Sequence, residues 1–334
     1  MALTPPLVTL LGATGFVGSA VLRELAARPI RLRVVARHPA PIPQDARATV
    51  EVCTADLTAP GVVARVVADA DIVVHCVAYI NDGPSTWRIA EGDDAAERVN
   101  VGIVADLVAA LEPRTDPVGV VFAGAVSQVG KGAGAIIDGT EIDAPSGEYD
   151  RQKLRAERLL LDSLATGPHR AVSVRLPTVF GSGPRATARD KGVVSMMIRR
   201  ALAGDPLTMW HDGTVKRDVV YVEDIARALV AATEHTTELA GRAWVLGSGH
   251  GIPLGQLFAT IADLVAERTG ERVPVVSVPP PTHAEAGDLV HITIDSTAFR
   301  AVTGWQPTVS LQTALRRTIE VCAAEQVGTE TATG

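Results

Sequence analysis

Two residues of the chain could act together on a carbonyl group. Tyr149 and Lys153 are four positions apart in the segment Tyr149-Asp150-Arg151-Gln152-Lys153, which opens a helical pattern ending near Leu164. This spacing puts both side chains on one helical face. A lysine beside a phenol favours the phenolate, so we expect a lowered tyrosine pKa and a general acid for a carbonyl oxygen. The alternative is an exposed helix pair without a catalytic role.

A glycine-rich turn near the amino terminus predicts a site for phosphates. An apolar run, residues 7–11, leads into glycines spaced three apart, and a helical pattern follows. Such glycines permit a tight turn, close approach of the backbone to a pyrophosphate, and packing of the helix near the sheet. Backbone N–H groups and the helix dipole can then hold a dinucleotide. The predicted contacts are Gly12, Thr14, Gly15, Phe16, Val17 and Gly18. An ordinary strand-to-helix turn is the alternative.

The end of a second apolar run, residues 32–37, predicts which dinucleotide binds. An NAD-binding chain places Asp or Glu there for the ribose hydroxyls, but this chain has Arg37 and His38. A guanidinium can pair with a 2′-phosphate, so the sequence predicts NADP over NAD. A solvated strand end is the other interpretation of Arg37.

A third short strand, residues 49–53, leads to Asp56 and Leu57. An acidic residue followed by an apolar one at this edge can bind the adenine amino group and cover its ring. A helix cap by Asp56 explains the same residue equally well.

Alternation of strands and helices predicts the fold class. Residues 70–78 and 118–123 are nearly continuous apolar runs, as expected of parallel strands buried on both faces. Asn100 precedes an apolar-periodic helix over residues 101–111. The pattern predicts a doubly wound parallel sheet of the Rossmann type, with ligands at the carboxyl ends of the strands.

The sequence further predicts how the chain is divided. A dinucleotide-binding domain covers residues 1–180 and about 218–248, and a smaller α/β lobe for the substrate covers residues 181–217 and 249–324. Residues 325–334 are small and polar, and we expect them to be disordered.

Composition excludes several function classes. The 334 residues carry a net charge of −7, with 47% hydrophobic and 21% charged residues, so the chain is globular and a nucleic-acid partner is disfavoured. No apolar run approaches the length of a membrane span, and the amino terminus does not resemble a signal peptide, so we expect a cytoplasmic protein. The three cysteines and eight histidines show no metal-ligand spacing, so no metal site is predicted.

Taken in order, these motifs resemble the extended short-chain dehydrogenase/reductase family. The resemblance continues through Arg175-Leu176-Pro177-Thr178-Val179-Phe180-Gly181, Arg217-Asp218 and Gly304-Trp305-Gln306-Pro307, and so covers nearly the whole chain. Phe122-Ala123-Gly124-Ala125-Val126-Ser127, Tyr149-Asp150-Arg151-Gln152-Lys153 and Trp210-His211-Asp212-Gly213-Thr214 are similar to the nucleoside-diphosphate 4-keto-6-deoxysugar 4-ketoreductases of antibiotic sugar pathways.

That resemblance implies an activity and a set of roles. It implies NADPH, hydride delivery to C4 of a dTDP-4-keto-deoxyhexose, Tyr149 as the proton donor and a homodimer. Lys153 would also hold the nicotinamide ribose, and Arg217 the diphosphate of the substrate. The remaining cofactor contacts implied are Val77, Ala78, Asn100 and Pro177, and the remaining substrate contacts are Asn81, Trp87, Arg88, Arg185 and Trp210.

The chain departs from the family at one catalytic position. Ala125 stands where the family has a Ser or Thr that polarises the carbonyl. Ser127 lies two residues further on, and in an extended segment that spacing points to the same side. Either Ser127 replaces the missing donor, or the site relies on Tyr149 alone. An epimerase or dehydratase of the same fold, or a regulator that binds NADP without catalysis, are the alternative functions.

Overall fold

The computed structural model describes residues 5–81, 88–130, 134–165, 167–183, 190–210, 212–280 and 289–333. Within those residues, no helix is both long and apolar enough to cross a membrane. A seven-stranded sheet forms the centre of the molecule. Its strands lie side by side in the order Ala243–Val245, Arg170–Leu176, Gly119–Ala125, Ile72–His75, Leu7–Leu11, Arg31–Ala36 and Thr49–Thr54. All of its neighbouring strands are parallel. The predicted doubly wound parallel sheet is therefore confirmed.

The strands in chain order are β1 Leu7–Leu11, β2 Arg31–Ala36, β3 Thr49–Thr54, β4 Ile72–His75, β5 Gly119–Ala125, β6 Ile136–Ile137, β7 Arg170–Leu176, β8 Thr178–Phe180, β9 Leu207–Met209, β10 Lys216–Arg217, β11 Val219–Tyr221, β12 Ala243–Val245, β13 Ile252–Pro253, β14 Val275–Ser277 and β15 Thr293–Ile294. The α-helices are α1 Phe16–Ala26, α2 Val62–Val67, α3 Asp94–Glu97, α4 Ile103–Leu111, α5 Glu148–Leu164, α6 Val193–Leu202, α7 Val222–Glu234, α8 Thr236–Leu239, α9 Leu254–Thr269, α10 Thr297–Thr303 and α11 Leu311–Thr333.

Apolar strands explain why the sheet lies inside the molecule. All five residues of β1 are buried, as the continuous apolar run predicts for a strand covered on both faces. Helices α2, α4 and α5 cover one face, where their apolar side chains form a core with those of the sheet. Helices α1 and α7 pack on the other face, in a second core that continues into α6 and α9. Because the helices cover the two faces of the sheet, a ligand site can form at the carboxyl ends of its strands.

The smaller lobe is built from short strand pairs and the helices α6, α9, α10 and α11. Strand β9 pairs with β14, β10 with β13, and β6 with β15. Because the second core runs without interruption from α1 and the sheet into α6 and α9, the two predicted domains share buried side chains. The exact division of the chain stays a prediction.

The structure corrects two local expectations. The helix predicted to begin at Asn100 begins earlier, at Asp94, because the Asp93 carboxylate accepts two backbone N–H bonds of 3.0 Å at its start. Asn100 itself lies in a π-helical turn, Arg98–Gly102, that joins α3 to α4. Residues 325–333 were expected to be disordered, but α11 continues to Thr333.

Candidate active site at the carboxyl ends of the strands

The glycine turn has the geometry that its sequence predicts. Gly12 has φ +86°, a conformation that favours glycine. A Cβ on Gly18 would lie 2.1 Å from the Gly12 carbonyl oxygen, so only glycine fits there. Helix α1 follows with Gly15 as its N-cap, with no side-chain cap and no acidic residue in its first turn. Its first N–H groups thus have no partner within the helix and can hold an anion.

The end of β2 presents a cation beside an acid. Arg37 and His38 are both exposed directly after β2, and Asp56 is exposed after the neighbouring strand β3. Hydrogen bonds from the Thr58 hydroxyl and backbone N–H lower the pKa of Asp56, and the charges of Arg37 and Arg98 lower it further. Asp56 closes a turn with Thr58, and α2 begins later, after Gly61, so the helix-cap interpretation of Asp56 is wrong. The adjacent Leu57 is buried.

Tyr149 and Lys153 lie on α5 and differ in their surroundings. The Lys153 ammonium donates a 2.5 Å hydrogen bond to the Ala123 carbonyl at the end of β5 and lies 4.0 Å from the centroid of the Phe122 ring. Burial lowers the Lys153 pKa to about 8, against the opposing effects of Cys76 and Glu157. Burial, and then the charge of Asp150, raise the pKa of Tyr149 above its usual value. The expected lowering of the Tyr149 pKa by Lys153 is therefore wrong.

Ser127 does not lie in an extended segment. The chain turns after Ala125 into a 3-10 helix, Val126–Val129, in which Ser127 is exposed. Its hydroxyl donates a 2.6 Å hydrogen bond to Asp150, the neighbour of Tyr149 on α5. The argument that Ser127 points to the same side as Ala125 is thus wrong, because the strand ends between them. The hydroxyl nevertheless reaches the start of the helix that carries Tyr149.

The loop after β4 meets the catalytic helix through Asn100. The Asn100 side-chain oxygen accepts a 2.7 Å bond from the Tyr79 backbone N–H, and its amide nitrogen donates a 2.8 Å bond to Gln152 on α5. In the same loop, Asn81 bonds to the Arg88 carbonyl, and Lys191 donates to the Asn81 carbonyl at 3.3 Å. Val77 and Ala78 begin this loop, so the predicted cofactor and substrate residues Val77, Ala78, Asn81, Arg88 and Asn100 lie in one neighbourhood.

The other predicted substrate residues are spread over the smaller lobe. Arg217 donates to the carbonyls of Lys216 and Val290, at the edge where β10 ends. Trp210 follows β9. Pro177, a predicted cofactor contact, lies between β7 and β8. Trp87 and Arg185 lie outside the described residues.

Sequence reasoning missed the buried polar residues that fix α5. Gln152 is in the stripe of buried residues that continues at Ala156, Leu160 and Leu164. A glutamine in such a stripe is a signal that could have been used, because a buried amide needs partners. The half-buried Asp150 is a further omission, since its bond to Ser127 joins residues 23 positions apart.

A parallel sheet whose first strand leads through a glycine turn into a helix is a Rossmann-like fold. The chain belongs to the NAD dependent epimerase/dehydratase family, whose model matches residues 8–247.

The individual proteins that this chain resembles include an epimerase and a reductase. The dTDP-L-rhamnose 4-epimerase of Burkholderia thailandensis is 27% identical over 342 residues, which cover 90% of this chain and 90% of that protein. The dTDP-4-dehydro-6-deoxyglucose reductase of Escherichia coli is 24% identical over 53% of this chain and 52% of that protein. The structure of MoeE5 in complex with UDP-glucose and NAD is 26% identical with a TM-score of 0.78, covering 96% of this chain and 99% of that one.

Proposed function

We propose that the protein reduces the C4 ketone of a dTDP-4-keto-(di/tri)deoxyhexose with NADPH. The observation that carries this proposal is the exposed Arg37 at the end of β2, where an NAD-binding chain has a carboxylate. An enzyme that regenerates a tightly held NAD has no need of a 2′-phosphate site. A reductase that consumes NADPH does, because the phosphate distinguishes its cofactor.

The described residues fit a dinucleotide. The positive φ of Gly12 and the lack of room for a Cβ at Gly18 leave the start of α1 open to phosphates, and Leu57 can cover the adenine. NADPH, when bound, supplies the hydride. Lys153 places a cation at the end of β5, beside the strand ends at which the family binds the nicotinamide ribose. Arg37 and His38 are the proposed 2′-phosphate contacts.

Tyr149 is the proposed proton donor. The phenol carries its proton at neutral pH, as a tyrosine of ordinary pKa also does, and it can give that proton to the C4 oxygen as negative charge develops there. Ala125 offers no second donor. Ser127, held by Asp150 at the start of α5, is the proposed replacement.

Substrate recognition is proposed for residues of the loop after β4 and of the smaller lobe. Arg217 would pair with the diphosphate, as a guanidinium does with phosphate oxygens. Asn81, Arg88, Trp210, and with them Trp87 and Arg185, are the proposed sugar and nucleotide contacts.

A sugar-nucleotide epimerase or dehydratase is the second candidate. It is favoured by the relative that covers 90% of this chain, which is a 4-epimerase. A dehydratase would need an acid/base carboxylate pair after Ala125, where the chain has Val126 and Ser127. A non-catalytic NADP-binding regulator is the third, and Ala125 is the observation in its favour.

The deciding assay follows absorbance at 340 nm with freshly generated dTDP-4-keto-6-deoxyglucose and its 2-deoxy and 2,3-dideoxy relatives, with NADPH and NADH in parallel. Oxidation of NADPH is expected, with one C4 alcohol by NMR. A dTDP-6-deoxyhexose that already carries a C4 alcohol tests the second candidate, and its conversion into the C4 epimer without a net change in absorbance at 340 nm would identify an epimerase. NADPH binding without turnover of any of these sugars would favour the regulator.

Replacement of the proton donor should separate binding from chemistry. Tyr149→Phe should lower the rate of ketone reduction by about 10²- to 10⁴-fold, the usual contribution of a general acid. NADPH affinity, measured by fluorescence titration, should change little, because the ring is kept. Tyr221→Phe is the matched control, since Tyr221 packs on Phe180 away from α5. Equal rates for Tyr149→Phe and the wild type would contradict the assignment.

A further inference from the structure

A short buried chain of hydrogen bonds joins the loop after β4 to the helix that carries Tyr149 and Lys153. It runs from the Tyr79 backbone N–H to the Asn100 side-chain oxygen at 2.7 Å, and from the Asn100 amide nitrogen to the Gln152 side-chain oxygen at 2.8 Å. The Asn100 and Gln152 side chains are each 1% exposed. Water therefore cannot substitute for either partner without a rearrangement.

Hydrogen-bond chemistry fixes the direction of this chain. A backbone N–H can only donate, so Asn100 must turn its oxygen towards Tyr79 and its NH₂ group towards Gln152. Gln152 must then offer its oxygen as an acceptor. The orientation of the buried Asn100 amide, and with it the position of the Tyr79 backbone, thus depends on an acceptor atom at position 152.

Asn100 lies where its hydrogen bonds can join the loop after β4 to α5. It lies in the π-helical turn Arg98–Gly102, a type of turn found in helices mostly as an isolated bulge. Gln152 immediately precedes Lys153 on α5, and Tyr79 immediately follows Val77 and Ala78 in the loop. The chain of bonds therefore spans the two elements that carry the proposed proton donor and the proposed cofactor contacts.

We propose that Gln152 is a positioning residue. It acts through Asn100 to hold the loop after β4, which carries the proposed cofactor contacts, in a fixed position relative to α5. Its kinetic consequence rests on the proposed reductase function, but its structural consequence does not. An error of about 1 Å in the alignment of reacting groups can cost about 10²-fold in rate. Loss of the acceptor at position 152 should therefore affect kcat more than KM.

Two variants of similar size test the need for an acceptor. Gln152→Leu removes it, and Gln152→Glu keeps an oxygen that can accept the Asn100 N–H bond. For Gln152→Leu, we expect kcat for NADPH-dependent ketone reduction to fall about 10- to 100-fold, with KM for the keto-sugar within about threefold. Hydrogen exchange of the Tyr79 amide should become at least about tenfold faster. Gln152→Glu should lie between Gln152→Leu and the wild type in both measurements, because it keeps the acceptor but buries a carboxyl group.

Controls separate this proposal from a general loss of packing and from failure of the proposed function. Thr233→Val removes a buried side-chain hydrogen bond in α7 and should leave kcat and Tyr79 exchange unchanged. If circular dichroism shows that Gln152→Leu does not fold, Gln152→Ser takes its place, because serine is too short to reach Asn100. Gln152→Ser should likewise lower kcat, leave KM little changed and speed Tyr79 exchange. Wild-type Tyr79 exchange in the Leu or Ser variant would overturn the proposal. If the wild type reduces none of the keto-sugars, the proposed function fails, while Tyr79 exchange still decides the role of Gln152.

Discussion

Burial acts in opposite directions on the two ionisable side chains of the proposed catalytic pair. It disfavours the phenolate of Tyr149 and so keeps the proton on the residue that must donate it. It lowers the Lys153 pKa to about 8, which still leaves most of the ammonium charged at pH 7. The pair therefore combines a protonated donor with a retained cation.

His75 makes a prediction about stability in acid. It is buried at the end of β4, and neither ring nitrogen has a hydrogen-bond partner among the described residues. Burial, and then the charge of Lys153, lower its pKa from 6.5 to about 3. Because the unfolded chain takes up a proton below pH 6.5 and the folded chain does not, this contribution to stability is lost as the pH falls from 6.5 towards 3.

A substitution isolates that contribution. Between pH 7.5 and 5, the wild type should lose about 2 kcal/mol more unfolding free energy than His75→Leu, which has no titrating group at this position. Urea denaturation at both pH values measures the difference. Equal losses in the two proteins would show that His75 is protonated without penalty.

Arg37 allows a test of cofactor choice. Arg37→Ala should weaken NADPH binding about tenfold or more, because hydrogen bonds to a charged group contribute about 1.5 to 3 kcal/mol. NADH binding should change less than about twofold, since NADH has no 2′-phosphate. Arg47→Ala is the matched control, because Arg47 is exposed at the opposite end of the sheet, just before β3. Equal weakening of NADPH and NADH would refute a phosphate contact.

Helix α5 is the element on which most of the candidate site depends. Arg175 on β7 donates hydrogen bonds to Glu157, in the middle of α5, at 2.5 Å, and to Asp143, before α5, at 2.6 Å. Ser173 also donates to Glu157. These buried bonds anchor the helix to the sheet, while Gln152 connects its first turns to Asn100. The carboxyl ends of the strands and the start of α5 are thereby held together.

The turn between β1 and α1 should not tolerate one added methyl group. In Gly18→Ala the new Cβ would lie 2.1 Å from the Gly12 carbonyl oxygen, so the backbone must move. We expect a loss of about 1 to 3 kcal/mol in unfolding free energy from overpacking, measured by urea denaturation. Gly134→Ala is the control, because there the nearest atom would lie at 3.6 Å, an ordinary contact. Wild-type stability of Gly18→Ala would contradict the close packing of the helix on the turn.

At the scale of the whole molecule, one core joins the two predicted lobes. Buried residues of α1 and the sheet continue into those of α6 and α9 without a break. The proposed substrate contacts on the smaller lobe are therefore supported by the same packed interior as the glycine turn between β1 and α1.

The family resemblance also predicts a homodimer, in which α4 and α5 pair with those of a second copy. Light scattering at micromolar concentration should give about twice the mass of the 34.9 kDa chain. Ala109 is exposed on α4, so Ala109→Arg should produce a monomer that remains folded. A monomeric wild type would refute the pairing.

The sequence by itself determined the parallel sheet, the glycine turn and the shared helix of Tyr149 and Lys153. Those features depend on local periodicity and on backbone sterics within a few residues. Tertiary structure alone decided the contact of Lys153 with Ala123, the turn that redirects Ser127, and the bond between Asn100 and Gln152. The first and the last depend on groups from separate elements meeting in a low-dielectric interior, whereas the turn at Ser127 depends on where β5 ends. Burial raises the pKa of Tyr149, against the direction that its spacing from Lys153 suggested.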